Sequence, residues 1–251
     1  MVTMKILIYF FLLYNAISLE GTLPQHLTDA RILQENILPE NNSYSHKDIL
    51  VIWKGINGAD KYICHADCSG LIDALLMHSY DYSLEDLQKW IGGKRRPLSK
   101  HFFDTITSQK GFKKISRPDE CLPGDLIAIK FPPGQDDSGH IMLINEIPKL
   151  QAPQAPIIEN SKQWTVTVID STTHGHGRSD SRFIGSGAFY PGIGKGTVRL
   201  YTDLNNNFIG YTWSTMPYSK FIAMGDRQFV VGRLSKDKAL KRPNDINDLK
   251  R

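Results

Sequence analysis

Asp67-Cys68-Ser69-Gly70-Leu71-Ile72-Asp73-Ala74-Leu75-Leu76-Met77 is the stretch on which the reading of this chain turns. Its apolar residues recur at 71, 72, 75 and 76, which together make one face of a helix. Asp67 stands where an N-cap belongs, because its carboxylate can accept from the unpaired N–H groups of the first turn. Cys68 follows at the positive end of the helix dipole, a place that favours a thiolate over a thiol. Gly70 keeps the approach to the sulfur open. A cysteine serving only as a small buried hydrophobe does not need polar neighbours such as Asp67 and Ser69. On the residues alone, two readings stand side by side: a reactive nucleophile at a helix N-terminus and a core cysteine.

The flanking sequence supplies the fold class. A short helix is expected over 27–36. A second runs over 83–91, with Glu85 and Asp86 in its first turn and Gly92-Gly93 ending it. A third covers 99–109. After Pro123-Gly124 the texture changes to strands, over 125–131, 140–147, 165–170, 197–203, 208–213 and 229–234. Asn205-Asn206-Asn207 reads as a hairpin turn between two of them. Helices first and an antiparallel sheet second predict an α+β fold with a single core.

Charge narrows the partners. The 251 residues carry 30 Lys and Arg against 26 Asp and Glu, a net charge of +4. Residues 1–18 contain one charge, Lys5, and residues 236–251 are basic, so the body between them is close to neutral. A neutral body offers little attraction to nucleic acid or to an anionic membrane. Lys5 followed by Ile6-Leu7-Ile8-Tyr9-Phe10-Phe11-Leu12-Leu13-Tyr14 and the small residues of Ala16-Ile17-Ser18 reads as a secretory signal peptide cleaved near Ser18. The run is too short to span a membrane. The expected organisation is a signal peptide over 1–18, an N-terminal arm over 19–48, a main domain over 49–235 and a flexible basic tail over 236–251. An exported, monomeric protein with no membrane segment in its mature chain is expected.

Asp67-Cys68-Ser69-Gly70-Leu71-Ile72 resembles the D-C-S-G-[L/F]-[V/I] signature of the NlpC/P60 cell-wall peptidases. Pro123-Gly124-Asp125-Leu126, followed by Ser138-Gly139-His140-Ile141, is similar to that family's P-G-D-L and G-H-[V/I] strands. The resemblance covers 67–72 and 123–171. It implies a papain-like fold that hydrolyses amide bonds of peptidoglycan stem peptides, with Cys68 as nucleophile and His140 as general base. It also implies a third polar residue, at the end of the next strand, to orient the imidazole. Val168-Ile169-Asp170-Ser171-Thr172 occupies that place, so Asp170 takes the role, with His174 and His176 as alternatives. A carboxylate there is a departure from the family's His, Asn or Gln, though it stabilises an imidazolium better than an amide does. Members also often place a tyrosine upstream of the cysteine to support the oxyanion. Tyr62 is the nearest candidate, but its context does not match and the role is not carried over. His140 follows Cys68 by 72 positions, a long gap filled by the helices after Ser83. Lys94-Arg95-Arg96 between them is expected as a solvated loop.

Other suggestive residues point elsewhere. His174-Gly175-His176 lacks an aspartate at 178 for a di-zinc pattern, and no metal or cofactor is expected. Gly192-Ile193-Gly194-Lys195-Gly196-Thr197 lacks phosphate-loop spacing and reads as a loop. Cys64 is expected to pair with Cys121 or with Cys68, should a disulfide form. The function expected is that of a cysteine peptidase. An amidase or acyltransferase with a non-wall substrate, and a non-catalytic wall-binding module, are the alternatives.

Overall fold

The structure, a computed structural model, is described over residues 23–240. The expected signal peptide, the first residues of the arm and the tail from 241 lie outside the described residues. The helices are α1 (Gln25–Asn36), α2 (Cys68–Tyr80), α3 (Leu84–Trp90) and α4 (Ser99–Thr107). Local chemistry sets the starts of α2 and α3. Asp67 caps α2 by accepting from the Gly70 N–H at 2.7 Å, and Leu71, Ile72, Leu75 and Leu76 are buried. Ser83 and Asp86 form a reciprocal capping box on α3. After α3 the chain doubles back at Gly93, where a Cβ would lie 2.1 Å from the Arg96 carbonyl oxygen. Only glycine permits that turn, and the turn carries Arg96 towards the start of α2.

Three short strands lie between α1 and α2. They are β1 (Asn42–Ser43), β2 (Leu50–Ile52) and β3 (Ile63–His65), with β3 in the middle. The large sheet contains β4 (Phe112–Ile115), β5 (Leu126–Lys130), β6 (Gly139–Ile144), β7 (Lys149–Gln151) and β8 (Lys162–Thr172). A two-stranded hairpin follows, β9 (Phe183–Gly185) with β10 (Ala188–Phe189). The large sheet resumes with β11 (Gly192–Thr202), β12 (Phe208–Thr212), β13 (Phe221–Ala223) and β14 (Gln228–Leu234). Its order is β13-β12-β11-β8-β6-β5-β14-β4, with β7 on the outer half of β8. Every pairing in it is antiparallel, so the class is α+β as the order of elements implied.

Period-2 alternation along these strands serves two cores. Leu126, Ala128, Ile141, Leu143 and Val230 face the helices, where they meet Leu71, Leu75, Phe102 and Ile106. Ile127, Ile129, Met142, Ile144, Phe229 and Val231 face the opposite way. That second face is covered by the sheet itself. Phe229 on β14 contacts Phe208 and Tyr211 on β12, with ring centroids 5.2 and 5.8 Å apart. Strands that far apart in the order can touch only if the sheet curls. It does so over Val166, Val168, Val198 and Leu200. The two-core arrangement replaces the single core expected.

Three local expectations differ from what is found. The described part of the arm is packed into the fold, since Leu27, Ala30 and Leu33 of α1 belong to the helix-side core. β1 also pairs in parallel with β3. The stretch 192–197 is the first half of β11, not a loop, and its register with β8 is unbroken from Gly192↔Thr172 to Thr202↔Lys162. Glycine carries no apolar side chain, so the strand leaves no hydrophobic alternation in the sequence. Finally, Cys64, Cys68 and Cys121 are all free thiols. Cys64 lies in the helix-side core and Cys121 in the other, which keeps them from pairing. Burial pushes the Cys64 thiol up to about 12 and raises Cys121 as well, so neither is poised to react. Among the described residues, no helix is long and apolar enough to cross a membrane.

Candidate active site

Three elements meet at one point: the N-terminus of α2, the start of β6 and the end of β8. Ser171 at the end of β8 donates to the Ala66 carbonyl at 2.6 Å, which ties the approach to Cys68 onto the sheet. The β6–β8 register pairs Leu143 with Ile169. Continued in an antiparallel ladder, it sets Asp170 opposite Met142 and puts His140, two residues away, on the same face. The result brings Cys68, His140 and Asp170 together.

His140 Nε2 lies 2.6 Å from Asp170 Oδ2. The Cys68 sulfur is the imidazole's other polar neighbour, close enough to raise its pKa. With Nε2 committed to the carboxylate, Nδ1 is the ring nitrogen left to serve the sulfur. Burial works against a charged imidazole. The neighbouring Cys68 sulfur and the Asp170 bond outweigh it and push His140 up to about 10. Burial likewise works against an ionised Asp170, but His176 and Arg182 hold its carboxyl well below the usual carboxylate range.

Asp170 is the hub of a buried network. Its Oδ1 accepts from Arg182 at 2.9 Å, and its Oδ2 is also 2.9 Å from His176 Nε2. Arg182 in turn clamps Asp180, whose Oδ2 accepts from the His176 backbone N–H at 2.8 Å. Trp213 covers these rings, edge-on to His140 at 4.9 Å and tilted over His176 at 4.5 Å. The glycines of β11 make room for the network. A Cβ at Gly194 would sit 2.4 Å from Arg182 Nε, and one at Gly196 would sit 2.4 Å from Asp180 Oδ2. His174, the other alternative, is exposed and bonds its neighbour Thr173.

Cys68 is 5% exposed and faces a cavity of about 550 Å3 lined by Tyr44, His46, Ser69, Leu98 and Phe131 among others. Tyr44 is the tyrosine beside the sulfur. Burial first, and then the negative groups at Cys68 and Asp67, raise its hydroxyl, so it stays protonated and able to donate. Tyr62 instead packs against the helix-side core. On the far side of α2, Arg96 is not solvated. It bonds Asp67, donates to Ser69 Oγ at 2.8 Å and reaches Asp73 at 3.4 Å. Among the described residues, no group of three His, Cys, Asp or Glu side chains is arranged to hold a metal ion.

No family model and no solved structure matches the chain. An uncharacterized protein of Acanthamoeba polyphaga mimivirus is 38% identical over 221 residues, which cover 84% of this chain and 96% of the viral protein. The chain belongs to the family of that viral protein.

In this member of the viral protein's family, several site residues are absent from the motifs that led to the site. Arg182 and Asp180 lie in the Gly- and Ser-rich stretch after β8, where each reads as an ordinary loop charge. Tyr44 is 24 positions before Cys68, in a segment expected to be an arm. The one available signal was the alternation of Gly192, Gly194 and Gly196, which marks a strand face kept bare for something packed on it.

Proposed function

We propose that this protein is an exported cysteine hydrolase with a papain-like NlpC/P60 fold, cleaving amide bonds in peptidoglycan stem peptides. The observation that carries the reading is Cys68 at a helix N-terminus beside the His140 imidazole, whose Nε2 is held by an ionised Asp170. The substrate class rests on the resemblance of 67–72 and 123–171 to that family, and export rests on the leader.

At neutral pH His140, raised to about 10, already holds the thiol proton, and in the first step the Cys68 sulfur bonds to the scissile carbonyl carbon. The oxyanion receives the N–H of Cys68, which as a first-turn group has no intrahelical acceptor, and the Tyr44 hydroxyl. When the C–N bond breaks, His140 passes its proton to the leaving amine and a thioester remains. Water then adds to the thioester with its proton going to His140. The C–S bond breaks, the carboxylic acid departs and the thiol is restored. Asp170 does not take the proton; it fixes the ring with Nδ1 towards sulfur and stabilises the imidazolium.

The test is mass spectrometry of peptidoglycan fragments released by the wild type, Cys68→Ala and His140→Ala. New cut stem peptides from the wild type alone are expected. Intact peptidoglycan in all three samples, with a Cys68 that iodoacetamide still alkylates fast at neutral pH, would transfer the chemistry to another amide. An unreactive thiol would overturn catalysis altogether.

A further inference from the structure

We propose that His176 is a positioning residue of this site, held as a doubly protonated imidazolium between the Trp213 carbonyl and Asp170, and that by sharing Asp170 it limits how tightly His140 keeps its proton. This rests on the reading of Cys68 and His140 as nucleophile and base.

The protonation follows from the partners. His176 Nδ1 lies 2.7 Å from the Trp213 carbonyl oxygen, which can only accept, so Nδ1 carries a hydrogen. Its Nε2 lies 2.9 Å from Asp170 Oδ2. That oxygen also takes His140 Nε2 at 2.6 Å, while Oδ1 takes Arg182. A carboxylate that accepts from the Arg182 guanidinium and lies well below the usual carboxylate range is ionised and has no hydrogen to offer. Nε2 of His176 must therefore supply one too. The ring is 0% exposed, so no water substitutes for either partner.

The charges that face this ring come from every element around it. Asp170 is at the end of β8, Asp180 and Arg182 are in the segment before β9, and His140 is on β6. Beyond His140 stand Cys68 on α2 and Tyr44 after β1, both within electrostatic reach of the His140–Asp170 pair. With His176 cationic, Asp170 and Asp180 are matched by His176 and Arg182. The cluster is thus neutral before His140 gains a proton. An unshared buried carboxylate would hold the His140 imidazolium far more tightly and slow delivery of its proton to the leaving amine. The fold is shaped for this arrangement. A Cβ at Gly196 would lie 2.7 Å from the His176 Cβ, so β11 is bare where the ring's backbone crosses it.

Two measurements on the intact protein test it. Histidine side-chain 15N NMR of the wild type near neutral pH should show both ring nitrogens of His176 protonated; a single neutral tautomer would overturn the proposal without any variant. The pH dependence of Cys68 alkylation by iodoacetamide is then compared in wild type, His176→Gln and His174→Gln. In His176→Gln the upper inflection, which belongs to His140 beside the thiolate, should rise by about half a pH unit or more, and His174→Gln should follow the wild type. A His176→Gln protein that is folded, less stable, yet titrates like the wild type would reduce His176 to packing and sink the idea. If His176→Gln fails to fold, the NMR result on the wild type decides. Ordinary thiol reactivity in the wild type would instead overturn the hydrolase reading, whatever the NMR shows for His176.

Discussion

Asp170 and Asp73 are both buried carboxylates beside an arginine, yet their surroundings drive them in opposite directions. Asp170 has a donor on every side: Arg182 on Oδ1, His140 and His176 on Oδ2. Among the described residues, Asp73 has only Arg96, at 3.4 Å, and its Oδ1 has no partner. Arg96 spends its better hydrogen bonds on Asp67 and Ser69. Burial is the largest influence on both groups and opposes ionisation in both. The donors reverse it for Asp170, which is held well below the usual range, and fail to reverse it for Asp73, which is held well above. Depth alone therefore does not mark a functional carboxylate. The number and placement of donors decide whether the group can serve a neighbouring base.

The contrast is broken hardest at Asp170. Asp170→Asn removes the charge that stabilises the His140 imidazolium, and hydrolysis or thiol alkylation at neutral pH should fall about 10²–10⁴-fold. Asp170→Ala leaves His176 and Arg182 buried without their anion and should cost about 3–5 kcal/mol in a denaturant titration. Equal, small effects from Asp170→Asn and Asp73→Asn would erase the distinction.

A middle effect is expected at Arg96. Arg96→Met keeps the stem but strips Asp67 of a charged donor, leaving the α2 cap to the Gly70 N–H, Ser69 Oγ and His46. A loss of about 1–3 kcal/mol is expected from chemical denaturation. A slower Cys68 alkylation should accompany it, because α2 carries Cys68.

The smallest effect separates the two carboxylates by pH. Asp170 is depressed, so its contribution is present above the unfolded value of about 4 and is lost as pH falls through its native one. Asp73 is raised, so its contribution is present below about 4 and is lost as pH climbs. Asp73→Asn should therefore stabilise by about 1 kcal/mol at pH 7 and by nothing near pH 3. Thermal melts at both values read this directly, and a destabilised Asp73→Asn at pH 7 would show that Asp73 is ionised in the fold. His140 adds a limit on the other side. Raised to about 10, it contributes stability that is complete below about 6.5 and lost as pH passes 10. Alkylation of Cys68 should show an inflection in the same region.

Much of the scaffold was legible because it is local. Asp67 as cap, the buried face of α2, the helix start at Ser83 and the short apolar run of 126–130 each depend on residues a few positions apart. Cys68, His140 and Asp170 were legible as candidates because short motifs carried them, and the fold brings the three side chains together. The glycine-rich half of β11 was not legible. A strand with no side chains on one face has no hydrophobic periodicity, and its ladder with β8 is what makes it a strand.

Which residue heads α2, and the order in which helices and strands follow, are written in the chain, since capping, periodicity and turn chemistry act within a few residues. The electrostatics of the site arise only on folding. Tyr44 beside Cys68, Arg96 on Asp67, and His176 with Arg182 on Asp170 join segments far apart in the chain or fold a loop back on its own strand. A buried charge is set by whichever donors the folded chain delivers to it, and that delivery is a property of the packed molecule, not of any stretch of its sequence.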